Sequence, residues 1–366
     1  MADDRTDLPP EERLTVLRVL DANANRAAEG LRVVEEYFRL GRGDTMLART
    51  CKELRHELAD ILAEIPAFEL TRARDTLRDV GTGISTPAEN QRRSLAEVTT
   101  ANWKRVEQAL RSIEEYGKLI PPLDVSRLEK LRYRAYTLGK AITIEQSSQL
   151  RLRDARLYVL VDGGGAAETF NENEYRRRVQ GLVSAGVHLL QLRDKTLDDR
   201  TLLKRAIILR EITRGSGTLL IVNDRADLAS AARADGVHLG QEDLPIYEAR
   251  QIVGTQALIG VSTHSIEQAR QAVLDGADYI GCGPTFPSAT KQFQRLAGLE
   301  FLRQVAAEIT LPSFAIGGIT PENLPQVLET GMTRVAISGA VWQADEPRSI
   351  VSRIHAQFAR PQGTYS

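Results

Sequence analysis

Cysteine is scarce in this chain. Cys51 and Cys282 are the only two, too few for a disulfide framework or a cysteine-built metal site. A surplus of one charge is also missing: Lys and Arg number 48 against 49 Asp and Glu. Neither residues 1–150 nor residues 151–366 hold a basic excess, so nucleic acid and anionic membranes are not expected partners. No run approaches the roughly 18 unbroken apolar residues of a membrane helix. The opening stretch MADDRTDLPPEERL is acidic and has no apolar core, so no signal peptide is expected and the cytoplasm is the expected location. Nucleophile–base pairs are missing too: the five histidines allow no Ser–His–Asp order and no Cys–His pair. His188 and His238 fall inside strand patterns as packed or orienting residues, His56 and His355 fall on helices, and His264 falls near a strand end. What remains is 42% apolar and 27% charged over 366 residues, enough for two domains or a barrel with an appendage.

Residues 12–146 read as helix. Leu14, Leu17, Leu20, Leu31, Val34 and Phe38 recur at helical spacing, as do Leu54, Leu58, Ile61 and Leu62, with prolines as punctuation. A weak repeat at an offset of 79 returns Asn23, Arg26, Leu31, Arg32, Glu35, Glu36 and Tyr37 as Asn102, Arg105, Leu110, Arg111, Glu114, Glu115 and Tyr116. Each copy is followed by a second helix, KELRHEL and EKLRYRA, which suggests a duplicated helical hairpin packed on its own copy. The shared Arg and Glu residues read better as a solvated face or a salt-bridge layer than as a site. RARDTLRDVGTGIS, between the copies, matches no phosphate motif. EQSSQL (145–150) reads as a polar hinge, which divides the chain into a helical domain, 1–150, and a second domain, 151–366.

From Leu157 the period changes. LYVLVD, VHLLQLR, TLLIVND, DGVHLG, ALIGVS, ADYIGCG, PSFAIGG and TRVAISG are strand-like and mostly alternate with helical stretches. Eight such units predict an α/β fold, a (β/α)8 TIM barrel with its site at the C-terminal strand ends. Those ends carry Gln191, Arg193 and Lys195 after strand two, Asn223 and Asp224 after strand three, and Asp243 after strand four. Ser262 ends strand five, GPTFPSATK follows strand six, and Gly317–Gly318 and Ser338–Gly339 end strands seven and eight. Small residues after the last two strands let backbone N–H groups approach a phosphate. Arg193, Lys195 and Lys291 supply charge for a second anion. Either Asp alone reads as a helix cap. Beside three cations, Asp224 and Asp243 read as holding a Mg²⁺ that carries a pyrophosphate.

QLRDK, VNDRADLASAARADGVHLGQEDL, IGVSTHS, GADYIGCGPTFPSATK and AIGGITPEN resemble the thiamine-phosphate synthase family, in order and across residues 155–350. The resemblance implies condensation of a hydroxymethylpyrimidine diphosphate with a thiazole phosphate (carboxylated or not) to give thiamine phosphate and diphosphate. It implies that Gln191, Leu192, Arg193, Asp194, Lys195, Asn223, Ser262 and Lys291 bind the pyrimidine diphosphate. Ser288, Ala289, Thr290, Gly317, Gly318, Ser338 and Gly339 would bind the thiazole phosphate, and Asp224 and Asp243 one Mg²⁺ per subunit. Ser288 stands where the family usually has Thr, and the hydroxyl is kept. Arg193, Lys195 and Lys291 would be catalytic through charge, in a dissociative reaction that needs no general base. The expected partners are phosphorylated small molecules, with a homo-oligomer left open. The helical half resembles an N-terminal domain fused to this synthase in some bacteria, with no activity implied. A thiazole tautomerase-like barrel and a non-catalytic precursor-binding protein are the alternatives; the first would not need the Asp pair or all three cations, and the intact strand-end motifs argue against the second.

Overall fold

The computed structural model describes residues 8–77, 79, 91–121, 123–165, 169–287 and 296–359. It divides into two compact units, Met1–Thr143 and Ile144–Ser366. The first is built from α1 (Pro10–Glu36), α2 (Thr45–Leu62), α3 (Ala67–Ala73), α4 (Leu95–Gly117) and most of α5 (Val125–Arg151). Asp44 and Ser94 cap α2 and α4 by accepting the Leu47 and Glu97 N–H groups, which otherwise lack helical partners. The predicted stripes are buried, except that Leu14 is 45% exposed in the second turn of α1. Gly30 lets α1 and α4 approach closely: a Cβ there would lie 2.7 Å from Val106 Cγ2 and 3.0 Å from the Asn102 carbonyl.

The repeated residues make the same contacts in both copies. Asn23 and Asn102 each donate to the carbonyl one turn back, of Val19 and Val98. Arg32 pairs with Glu35 and Glu36, and Arg111 with Glu114 and Glu115. Glu35 then reaches Arg55 of α2, and Glu114 reaches Arg132 of α5. These side chains form a helix–helix ion-pair layer, while Arg26 and Arg105 are exposed. RARDTLRDVGTGIS lies partly outside the described residues; within it, Arg74 holds Asp21 through two bonds of 2.7 and 2.8 Å.

EQSSQL is not a hinge. It forms the last turns of α5 and falls in the second unit, so residues 144–150 fold with the barrel. Ser148 donates to Asp278 Oδ1 at 3.2 Å. Gln149 Nε2 donates to the Thr310 carbonyl, and Thr310 Oγ1 donates to Glu145 Oε1 at 2.9 Å. The polarity that suggested a linker instead satisfies buried polar groups beneath the barrel.

That barrel has eight parallel strands, each paired with its sequence neighbour and closed by β1 against β8. The chain runs β1 (Leu157–Val161), α6 (Glu172–Ser184), β2 (Leu189–Leu192), α7 (Asp199–Thr213), β3 (Leu219–Asn223), α8 (Ala226–Ala231) and β4 (Gly236–Leu239). It continues through α9 (Ile246–Val253), β5 (Leu258–Thr263), α10 (Ile266–Asp275), β6 (Tyr279–Cys282), α11 (Gly298–Glu308) and β7 (Ser313–Ile316). The last elements are α12 (Leu324–Leu328), β8 (Val335–Ile337), α13 (Gly339–Trp342) and α14 (Pro347–Phe358). Tyr158, Leu160, Leu189, Ile221, Leu258, Tyr279, Phe314 and Ala336 form a core cluster that Leu152 and Ala155 join from the segment before β1.

Gly260 makes this core fit, because a Cβ there would lie 2.1 Å from the Tyr279 ring. Gly260→Ala is therefore expected to lower barrel stability by about 1–3 kcal/mol. Thermal unfolding of the two proteins checks this, and an unchanged Tm would contradict it.

Candidate functional site

The strand order brings the ends of β2, β3, β4 and β5 side by side. Asp224, just past β3, has φ of 61°, a left-handed conformation that Asp tolerates better than most residues but that still costs energy. Its N–H is held by the His238 carbonyl at 2.8 Å, which anchors the turn and directs the side chain. Lys195 Nζ lies 3.0 Å from Asp224 Oδ2. Asp243, past β4, accepts the Gly240 N–H at 2.6 Å. Burial raises the pKa of Asp243, and the adjoining Asp224 carboxylate raises it further.

Two neighbouring carboxylates that repel one another fit a hard cation between them. Among the described residues no third His, Cys, Asp or Glu completes a protein-built metal cage. Mg²⁺ commonly binds one or two carboxylates and fills its other positions with water and substrate phosphate.

The remaining predicted residues divide by what their side chains can reach. Asn223 and Arg193 are half-buried and Lys195 is exposed, so all three retain access to the rim. Leu192 is a buried strand residue and offers a ligand only its backbone. Asp194 is committed to its own loop, where it accepts the N–H groups of Gly163, Thr196 and Leu197 and the Thr196 hydroxyl. Burial alone would raise its pKa, but the bonds from Thr196, Gly163 and Leu197 hold it below the usual carboxylate range. It shapes the loop that presents Lys195.

Gln191 is buried and donates through Nε2 to the Tyr158 hydroxyl. Ser262 Oγ lies 3.0 Å from His238 Nε2. Burial pushes the His238 imidazole down to about 4, so the ring is neutral near pH 7. His188 is half-buried, and its Nδ1 accepts the Leu157 N–H at 3.3 Å. His264 is exposed and meets the Gly283 carbonyl through Nδ1 at 2.5 Å.

The residues expected to form a second anion site follow β7 and β8. Gly317 and Gly318 have φ of 101° and 63°, and a Cβ on Gly318 would lie 2.3 Å from the Pro287 carbonyl. Glycine is needed here for both conformation and space. The two carbonyls are fixed: Phe286 N–H bonds that of Gly317, and Asn323 Nδ2 that of Gly318. Ser338 precedes α13, and Gly339 is its first residue. Arg178 donates to the carbonyls of Trp342, the last residue of α13, and of Ala344 beyond it. Ser288, Ala289, Thr290 and Lys291 lie outside the described residues.

Tyr158 and Tyr279, which no sequence motif marks, fill the barrel interior beneath Gln191 and Ser262. Their only signal was a strand glycine, Gly260, that leaves room for a ring on the neighbouring strand.

Residues 157–341 match the family described as thiamine monophosphate synthase, and residues 18–141 match the ThiD2 family. A thiamine-phosphate synthase of Rhodopirellula baltica is 46% identical over 90% of this chain and 89% of its own. One from Nostoc punctiforme is 42% identical over 94% of this chain and 95% of its own. Among solved structures, a thiamine phosphate pyrophosphorylase from Pyrococcus furiosus is 34% identical with a TM-score of 0.50. It covers 57% of this chain and 97% of that one.

Proposed function

The chain belongs to the thiamine monophosphate synthase family, and from that premise we propose how its rim carries out the synthesis of thiamine phosphate. The enzyme is a transferase of thiamine biosynthesis. In this reading a pyrimidine methyl diphosphate lies across β2–β5, with its diphosphate beside Arg193, Lys195, Asn223 and Lys291 and its ring end towards Gln191 and Ser262. A thiazole phosphate binds at Gly317, Gly318, Ser338 and Gly339, together with Ser288, Ala289 and Thr290. The observation that supports this most is the Lys195–Asp224–Asp243 cluster, in which a cation and two carboxylates share one rim.

The C–O bond to diphosphate breaks with its electron pair leaving on oxygen, and the electron-rich aminopyrimidine bears the resulting positive charge. The thiazole nitrogen lone pair then forms the new C–N bond. No proton need be abstracted, so the Ser262–His238 contact is not called on as a nucleophile–base pair. Asp224 and Asp243 would hold Mg²⁺, which when bound supplies positive charge to the departing diphosphate. Lys195, beside Asp224, and Arg193 stabilise the same charge. The test is to incubate the chain with both phosphorylated substrates and Mg²⁺ and to assay thiamine phosphate and diphosphate. Release of diphosphate without coupled thiamine phosphate would contradict the reading.

Lys291 has the charge to follow the leaving group. Lys291→Ala is expected to lower kcat by about 100-fold while changing the KM for thiazole phosphate less than about threefold. Steady-state kinetics with each substrate varied separates the two effects. Normal kcat with a much higher thiazole phosphate KM would move Lys291 to the other site.

A further inference from the structure

A continuous chain of polar side chains crosses the barrel interior from Gln191 to Ser262. Gln191 Nε2 donates to Tyr158 Oη at 2.5 Å, and Tyr158 Oη lies 3.0 Å from Tyr279 Oη. Tyr279 Oη lies 3.3 Å from His238 Nδ1, and His238 Nε2 lies 3.0 Å from Ser262 Oγ. The first four residues are buried and Ser262 is half-buried. A hydrophobic interior could have been built from leucine or phenylalanine. Buried polar groups persist only when each is paired, and a complete chain fixes its own geometry.

The chain also has a direction. An amide nitrogen donates and cannot accept, so Tyr158 accepts from Gln191. Each buried hydroxyl proton then has an acceptor when Tyr158 donates to Tyr279 and Tyr279 donates to His238 Nδ1. A neutral imidazole that accepts at Nδ1 carries its proton on Nε2, and that proton goes to Ser262 Oγ. Ser262, already accepting, keeps its own proton for whatever lies above it.

We propose that Tyr158, Tyr279 and His238 are positioning residues that set the polarity of the pyrimidine site. They hold Ser262 as a hydrogen donor towards an acceptor atom of the substrate and leave the Gln191 carbonyl oxygen as an acceptor. The inference rests on the reading that Gln191 and Ser262 face the pyrimidine diphosphate. A ligand with an acceptor above Ser262 is favoured, and one presenting a donor there meets two donors opposed.

The direct readout is the His238 tautomer in the full chain, from ¹⁵N NMR of ring-labelled histidine, assigned by the signal lost in His238→Gln. The Nε2–H tautomer is expected, and the Nδ1–H tautomer overturns the polarity. Kinetics supply the second readout. Tyr279→Phe removes the donor to Nδ1 and is expected to lower kcat/KM for the pyrimidine diphosphate about 10-fold, with the thiazole phosphate KM unchanged. His238→Gln can still donate to Ser262 and is expected to retain more activity than His238→Phe. Equal losses in His238→Gln and His238→Phe, or a matching rise in thiazole phosphate KM in Tyr279→Phe, would reduce the chain to core packing. Ser262→Ala separates the premise from the inference. Unchanged pyrimidine diphosphate kinetics there, with the Nε2–H tautomer present, would refute the substrate contact of Ser262 and not the direction of the chain.

Discussion

Asp243→Ala is expected to lower turnover by about 100-fold or more, the range seen when one preorganised charge-stabilising element is removed. The barrel should stay folded, because Asp243 is a half-buried rim residue whose described structural partner is the Gly240 N–H. Without it the proposed cation site falls to one carboxylate, Asp224, which is already paired with Lys195. Activity should then require a much higher Mg²⁺ concentration, and chelation by EDTA should abolish the residual turnover. Asp224→Asn is the matched variant. Asn tolerates the left-handed backbone found at residue 224, so it removes charge without moving the turn. Turnover, its Mg²⁺ dependence and circular dichroism measured together decide the matter. Wild-type turnover and Mg²⁺ dependence in both variants would remove the carboxylate pair from the mechanism.

Cutting the chain at two nearby points is expected to give two different proteins. A fragment of residues 144–366 should fold and retain synthase activity, because every residue assigned to the two substrate sites lies within it. A fragment of residues 151–366 discards Glu145, Ser148 and Gln149, and with them the bonds to Asp278 and Thr310. Asp278 keeps Arg250 and the Ile259 N–H, so the fold should weaken and not vanish. Each buried polar group left unpaired costs roughly 1–3 kcal/mol. At about 2–4 °C per kcal/mol for a unit of this size, the shorter fragment should melt on the order of 10 °C lower. Thermal unfolding and thiamine phosphate assays of both fragments test this. A folded 144–366 fragment without activity would mean that residues 1–143 contribute to the reaction. Equal melting temperatures would mean that the end of α5 adds nothing to the barrel.

The sequence by itself determined the elements and the rim. Strand periodicity is local, and its eightfold recurrence with intervening helices leaves few arrangements besides a closed parallel barrel. Once strand ends are known, barrel geometry puts them on one face, which is why Asp224, Asp243 and Lys195 could be placed together before any distance was known. The ion-pair layer of the helical unit was legible for a similar reason, because Arg32, Glu35 and Glu36 lie at one-turn spacing and recur as Arg111, Glu114 and Glu115. Tertiary structure decided whatever depended on residues distant in sequence. Asp194 resembles a ligand in QLRDK, yet the Gly163 N–H and its own turn claim its carboxylate. EQSSQL has a linker's composition, and only the presence of Asp278 and Thr310 beneath it makes those polar residues part of a fold. Tyr158, Tyr279 and His238 lie on β1, β6 and β4, up to 121 residues apart. No local pattern records a hydrogen-bond chain between strands, because barrel closure alone brings those three side chains together.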